Sequence, residues 1–537
     1  MKISTDRAIP FILLVMYAIM GSCLFATFPL VPLNRDAGLY IPIARGVMEG
    51  LTPTVELYTS YTPFAYYLYA AWMGLTGTDT STLFLLVYLF NLLNAGIFFL
   101  ILRRFVSSAM LAAALSLSYY FTMMVCQAYL IVLEPFQMTF ILLAFLAYTS
   151  GLRNLARHSL VGLLLGVSIM FKQYSILVLA GFIVTIAIDS LRERRAGAFR
   201  ELAAALAVIL ASSVVPFFLF VLCTKADLAG ALYSFGFLGG KAVSYSTAEK
   251  LSAVTLAQNL AVKVVHLNWL FIPPALYLGF KAFRRGYVNS PSEVVPIFVL
   301  SALPIAIRQY GHYFLLIAPW SFLIAGVLLD RLMQEPAAKG KAGSHLLFAV
   351  LLCSLGVIAA AGASPSFHEM SKAGELLVIG TLVAAASLIL GAWLFVSRQH
   401  RSLPAYVLAL LVVLGVESAF LALKLPFGSM EGVKQSQQAE GDRISRVFKR
   451  GSQVLVVDYP ELYVLCQYTN PLHNYSFIYP RNIEKKLGSM DMGKVGRVII
   501  PRQYAFLATG FFEKSGYRAV HHDEGADLLF LARPDSF

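Results

Sequence analysis

Thr82-Leu83-Phe84-Leu85-Leu86-Val87-Tyr88-Leu89-Phe90-Asn91-Leu92-Leu93-Asn94-Ala95-Gly96-Ile97-Phe98-Phe99-Leu100-Ile101-Leu102, closed by Arg103-Arg104, decides the fold of this chain. As a helix, an uncharged run of this length covers about 30 Å, the thickness of a bilayer's hydrocarbon core. Lipid offers backbone N–H and C=O groups no partners, so the run must satisfy its own hydrogen bonds as a helix. A barrel strand would alternate polar and apolar residues, which this run does not do. Comparable runs recur along the 537 residues, of which 58% are hydrophobic and only 13% charged, beyond what a soluble globular chain carries. The sequence specifies an α-helical polytopic membrane protein.

The arginine pair that closes the run belongs to a series. Similar clusters stand at Lys2 and Arg7, Arg153 and Arg157, Arg192 to Arg200, Lys281 to Arg285, Arg331 to Lys341, and Arg398 and Arg401. They account for the net charge of +13 without forming the basic stripe with interleaved aromatics that nucleic acid requires. They fall at every second loop, as cytoplasmic loops do. Spans are thus predicted at 8–30, 82–102, 107–126, 135–150, 159–171, 174–190, 201–223, 264–281, 293–308, 313–330, 344–362, 374–396 and 403–424. These roughly 13 crossings put the N-terminus in the cytoplasm and the tail outside a plasma (inner) membrane. Residues 159–171 and 174–190, with Lys172 near their junction, form a tight hairpin facing outward. The run at 8–30 is too long for a signal-peptide h-region and is followed by many spans, so it reads as a retained helix. Residues 1–424 form the membrane domain and 425–537 a soluble extracytoplasmic one. The five cysteines are scattered without metal or disulfide spacing.

Function is to be sought where charge is unexpected, in the outward loops. The first, at 31–81, carries Asn34-Arg35-Asp36-Ala37-Gly38-Leu39-Tyr40, then Ala44-Arg45, Glu56, Pro63 and a Tyr/Trp-rich stretch at 63–75. The stretches 37–49 and 63–75 suit helices lying in the membrane interface. Asp36, where the first span leaves the membrane, has two readings: an N-cap, or a general base for a hydroxyl. Glu134-Pro135 opens the fourth span at a similar depth. A helix start favours both residue types for structural reasons alone. Two carboxylates at one level can also share a divalent cation, or one can orient the other's substrate. Lys172, and the cluster Arg308-Gln309-Tyr310-Gly311-His312-Tyr313, place cations at outward helix ends that topology does not call for. Snorkelling to lipid phosphate is one use of such cations and anion binding is the other.

With these residues in view, the chain resembles the GT-C glycosyltransferases, and among them bacterial relatives of the protein mannosyltransferases and of the aminoarabinose and lipopolysaccharide-core transferases. The resemblance runs from Arg35-Asp36-Ala37-Gly38-Leu39-Tyr40 through Ala44-Arg45 and Gly50 to Glu56 and Pro63. It continues in Leu133-Glu134, in Gly162 to Gly166 followed by Lys172-Gln173, in Arg308 with Gly311-His312-Tyr313 and Pro319, and in the tail from Val454-Leu455-Val456-Val457 to Pro460-Glu461-Leu462-Tyr463, which looks like the start of the soluble domain such members carry. Ala37 stands where many members have a second carboxylate, which argues against a paired-acid metal site at that point.

The resemblance implies an inverting transferase that takes a sugar from a polyprenyl-phosphate donor to an acceptor hydroxyl of a glycolipid, glycan or protein at the outer membrane face. Asp36 is then the catalytic base, Glu56 and Glu134 support acceptor or metal binding, and Lys172, Arg308, His312 and Tyr313 hold the donor phosphate. No nucleotide site is needed, and no Gly-rich phosphate loop is present in the sequence. A flippase or transporter, or an O-antigen-ligase-like protein, is the alternative; its site would lie at mid-membrane or on a large late loop. In the tail, runs at 453–457, 496–500 and 527–532 predict strands and 503–515 a helix, making a small α/β domain that recognises the acceptor or covers the site. His521-His522-Asp523 reads as a solvated turn rather than a metal site.

Overall fold

The computed structural model describes residues 31–53, 56–57, 62–126, 128, 130–192, 198–224, 228, 232, 294–307, 311–334, 432–457, 460–472, 491–504, 511–523 and 527–534. The predicted spans 8–30, 264–281, 344–362, 374–396 and 403–424 lie outside the described residues. After residue 31 the chain forms α1 (Arg35–Met48) and α2 (Phe64–Thr76), which pack against each other. The membrane helices follow: α3 (Thr80–Phe105), α4 (Ala109–Val125), α5 (Glu134–Tyr148), α6 (Asn154–Phe171), α7 (Ser175–Arg192), α8 (Ala198–Thr224), α9 (Val294–Ile307) and α10 (Ala318–Gln334). By length and composition, α3, α6 and α8 can each cross a membrane, while α5, α7, α9 and α10 contain shorter apolar helices.

Three local outcomes differ from the sequence reading. Helix α1 does not lie on an interface: its residues from Ala37 to Ala44 are all buried. The reason is the lack of charge between Asp36 and Arg45, which leaves the helix apolar on every side. Helix α6 starts at Asn154, earlier than predicted, with Arg157 held by Asn154 Oδ1 at 2.9 Å. The predicted span at 313 opens as a 3-10 segment, Gly311–Leu316, and α10 starts only at Ala318. Pro319 has no N–H to carry an α ladder backwards but fits a first helical turn.

Between helices in lipid there is little hydrophobic driving force, so close backbone approach and buried polar ties hold the bundle. Gly162 and Gly166 place α6 directly against the carbonyl oxygens of Ile209 and Ser213 on α8. Gly181 on α7 leaves only 2.7 Å between an added Cβ and the Ile297 Cα of α9. Elsewhere α8 turns Leu210, Val214, Phe218, Leu219 and Leu222 outward, as a lipid-facing helix must. We expect Gly166→Leu to destabilise the protein by about 1–3 kcal/mol or more, because backbone has to move to admit the side chain. Thermal unfolding in detergent measures this; an unchanged midpoint would mean that the α6–α8 contact contributes little.

Polar ties set the depth of α5. Asn94 of α3 donates to the Pro135 carbonyl at 2.8 Å and accepts from Thr139 at 2.6 Å, and Asn91 donates to the Ala128 carbonyl at 2.7 Å. Asp330 of α10 accepts from the Ser107 hydroxyl at 2.6 Å and from the Ser107 N–H at 3.1 Å, just ahead of α4.

The C-terminal part begins with α11, a helix at 432–444, and continues through β1 (Leu455–Val456), α12 (Leu462–Leu465), β2 (Arg497–Pro501), β3 (Arg518–Asp523) and β4 (Leu528–Ala532). The sheet order is β1-β2-β4-β3, with β1 parallel to β2 and the other pairs antiparallel. Strands β1, β2 and β4 fall on the predicted runs. Strand β3 does not, because it is an edge strand with mostly exposed residues and shows no apolar alternation. It contains His521-His522-Asp523, which are therefore strand and not turn. Asp523 is buried and binds Arg443 of α11 at 2.6 Å. Among the described residues, no group of three His, Cys, Asp or Glu side chains is placed to hold a metal ion.

This α/β unit is seated on the membrane helices. Ile444, Phe448, Leu462 and Tyr463 belong to the same buried cluster as Leu39 and Tyr40 of α1. Gln437 of α11 clamps the entry to α1, accepting from the Leu33 N–H at 3.0 Å and donating to its carbonyl at 3.1 Å.

Candidate active site

Asp36 is the second residue of α1, half-buried, in the first turn. The N-cap position is taken by Asn34, whose amide reaches across to the Ile131 carbonyl at 3.2 Å. The capping role considered for Asp36 is thus not the one it occupies. Its carboxylate lies where the partial positive charge of the helix N-terminus favours an anion. The loop before α5 and the start of α1 are joined through Asn34, which brings the first outer loop alongside Glu134.

The charges of both acids reach Tyr69 of α2. Its ring is stacked on Tyr40 at 6.2 Å and meets Phe136 edge-on at 5.5 Å, and its hydroxyl donates to the Val132 carbonyl at 3.4 Å. Burial pushes the Tyr69 phenol well up, and the charges of Asp36 and Glu134 both add to this. The phenol therefore stays neutral and serves as a hydrogen-bond donor, here to the Val132 carbonyl.

Glu134, at the first position of α5, is fully buried. Lys172, at the end of α6, pairs with its Oε1, and His312 Nε2 stands 3.6 Å from the same oxygen. The Lys172 ammonium also lies 4.7 Å from the centroid of the Tyr313 ring, which in turn packs on Tyr174 at 5.3 Å. The sequence reading placed Lys172 and His312 apart from Glu134; the fold makes them one group. It also removes the snorkelling alternative for Lys172, which is 4% exposed and directs its charge into the protein.

The backbone beneath Lys172 is firmly held. Its residue leaves helical geometry at φ −158° and ψ 126°, which turns the chain from α6 into α7. Gln137 donates to Ser175 at 2.6 Å, Ser168 and Ser175 share a 2.6 Å hydrogen bond, and Ser168 donates to the Gln137 carbonyl at 3.1 Å. These hydroxyls and one amide tie α5, α6 and α7 directly under the ion pair.

Glu56 is not brought to this cluster. It is exposed in the connection after α1, where its Oε2 accepts from the Thr52 N–H at 2.6 Å. Arg308 lies outside the described residues. A divalent cation shared by Asp36 and Glu134 is not assembled by the described residues, because Glu134 is already neutralised by Lys172 and a third ligand is lacking.

One acidic residue was not assigned to the site at the sequence level. Glu461, at the head of α12, approaches Asp36 closely enough for the charges of Arg35 and Asp36 to act on its carboxyl. A Cβ on Gly38 would stand 2.6 Å from the Glu461 nitrogen and 2.6 Å from the Pro460 carbonyl carbon. The tail domain therefore rests its Pro460-Glu461 backbone on α1, two residues from Asp36. The signal that could have revealed this was Gly38 itself, small at a point where α1 admits another backbone.

No family model matches the chain, and no curated protein matches it in sequence. Among solved structures, the fold is that of ArnT from Cupriavidus metallidurans. In its complex with undecaprenyl phosphate the likeness covers 97% of both chains at a TM-score of 0.62 and 16% identity. The apo form matches with the same coverage and TM-score at 15% identity. A weaker likeness, at a TM-score of 0.45 and 11% identity, links it to an oligosaccharyltransferase of Archaeoglobus fulgidus, covering 91% of this chain and 70% of that one. At 16% identity and a TM-score of 0.62, the likeness to ArnT shows a shared fold.

Proposed function

We propose that this protein is an inverting glycosyltransferase that moves a sugar from a polyprenyl-phosphate donor to an acceptor hydroxyl at the outer face of the membrane. The observation that carries the reading is the half-buried Asp36 at a helix N-terminus, together with a buried group of cations on Glu134, in a fold similar over 97% of both chains to a protein seen bound to undecaprenyl phosphate. Asp36 takes the proton of the acceptor hydroxyl as its oxygen attacks the anomeric carbon; the bond from that carbon to the phosphate oxygen breaks, inverting the centre. The phosphate leaves as an anion on its lipid. Lys172, His312 and Tyr313, gathered around Glu134, receive it; Arg308 is assigned to the same anion from its sequence position alone. With His312 protonated, Lys172, His312 and Glu134 carry one excess positive charge, held in place before the reaction starts. Preorganised charge of this kind costs no reorganisation when the leaving group develops its own.

The test is mass spectrometry of surface glycolipids and glycans from a strain lacking the protein, paired with detection of polyprenyl phosphate released by the purified enzyme. Loss of one glycan modification together with release of the lipid phosphate is expected. An unchanged glycan profile would overturn the reading. Orientation is tested separately: a reporter fused after residue 430 should be active outside the cytoplasm and one near 285 inside. The reverse pattern at either point would place the site on the wrong side.

A further inference from the structure

The C-terminal domain is more than a cover. Its Glu461 has one carboxyl oxygen, Oε2, that is buried from solvent and finds no hydrogen-bond partner among the described residues. Burial foremost holds this carboxyl above the usual carboxylate range; the charge of Asp36 adds to that, while Arg35 opposes it. A buried polar atom left unsatisfied is costly, and native proteins keep such atoms mainly where something else will pair with them. Here the position is also fixed from outside: the Gly38 contact and the Gln437 clamp on Leu33 set the Pro460-Glu461 backbone against α1. The Glu461 backbone is thus fixed against α1, although it comes from the C-terminal part of the chain.

We propose that Glu461 is an acceptor-contact residue, whose Oε2 receives a hydrogen bond from a hydroxyl of the acceptor and so aligns the neighbouring hydroxyl with Asp36. The assignment rests on the transferase reading above. It makes the acceptor a polyhydroxylated group, such as a sugar, with at least two hydroxyls close together: one for Asp36 and one for Glu461. It also explains why the tail domain is bound to α1 and not merely tethered to the last span. Acceptor recognition is then shared between the two domains across the Gly38 contact.

The experiment uses the full-length protein, purified in detergent, with membranes from a strain lacking it as the source of donor and acceptor. Product is counted by mass spectrometry, and undecaprenyl phosphate binding and thermal unfolding are measured on the same preparations. Glu461→Ala is expected to lower product formation on the order of tenfold, the effect of losing one hydrogen bond to a charged group. Glu461→Gln, which keeps a carbonyl acceptor, is expected to recover to within about threefold of wild type. Both should bind undecaprenyl phosphate and unfold as wild type does. Wild-type turnover in Glu461→Ala would overturn the assignment alone. So would a fall in turnover accompanied by weaker lipid binding or a lower midpoint, since the residue would then serve the donor side or the domain contact. If the wild-type protein itself yields no product, the transferase reading fails first and takes the assignment with it.

Discussion

Replacing Asp36 by Asn is expected to reduce sugar transfer about 10²–10⁴-fold while leaving the protein folded and able to bind lipid phosphate. The substitution keeps shape and hydrogen-bonding capacity and removes only the ability to take a proton. Asn34 is the N-cap residue, so Asp36→Asn takes nothing from that position. What it does lose is the favourable placement of a negative charge in the first helical turn, worth only about 0.3–1 kcal/mol. A large drop in rate beside a small change in unfolding is therefore the signature of a base. The measurement is initial rate with native membranes as substrate, together with undecaprenyl phosphate binding. Near-normal turnover with binding intact would remove Asp36 from the mechanism and turn the search for a base to the other acids, Glu461 and Glu56.

The second large effect concerns the buried charges. Glu134→Leu leaves Lys172 and His312 facing each other without a counter-charge in a site closed to solvent. Breaking a buried pair from one side costs about 3–5 kcal/mol, most of it for the charge left behind. We expect Glu134→Leu and Lys172→Ala each to lower the unfolding midpoint in detergent by many degrees. Lys172→Ala is then not the clean test of phosphate binding that an isolated, snorkelling lysine would permit. The pair Glu134→Leu with Lys172→Met removes both charges and should recover much of the stability. It should not recover transfer, because the leaving phosphate has lost its principal cation. Recovery of both stability and transfer in the double variant would show that the ion pair serves the fold alone. No recovery of stability would mean that the pair does not act as a unit.

Much of this was legible in the chain because lipid simplifies the problem. Apolar runs such as 82–102 and 201–223 must be helices wherever they pack, and they are found as α3 and α8. Strand runs in the tail stood out against a polar background for the same reason. What failed at the sequence level was whatever depends on what lies opposite. The stretch 37–49 has helical spacing, and spacing alone does not say whether lipid or protein faces it; protein covers it from Ala37 to Ala44. His521-His522-Asp523 looked like a turn because an edge strand needs no apolar face. Glu461 stood in a stretch that marks the start of the tail domain, but nothing local tied it to the site, since that follows from Gly38, more than four hundred positions away.

The sequence by itself determined the membrane class, the helix-bearing segments among the described residues, and the candidacy of Asp36, Glu134, Lys172 and His312. Those follow from transfer free energies of single residues and from short-range periodicity, which are local quantities. Only the tertiary structure decided that Glu134 pairs with Lys172 and stands beside His312, that the charges of Asp36 and Glu134 both reach Tyr69, and that the tail sets the Pro460-Glu461 backbone on α1. Charges acquire their meaning from the partners within a few ångströms, and those partners are chosen by packing between distant segments, a long-range property that composition and spacing do not contain.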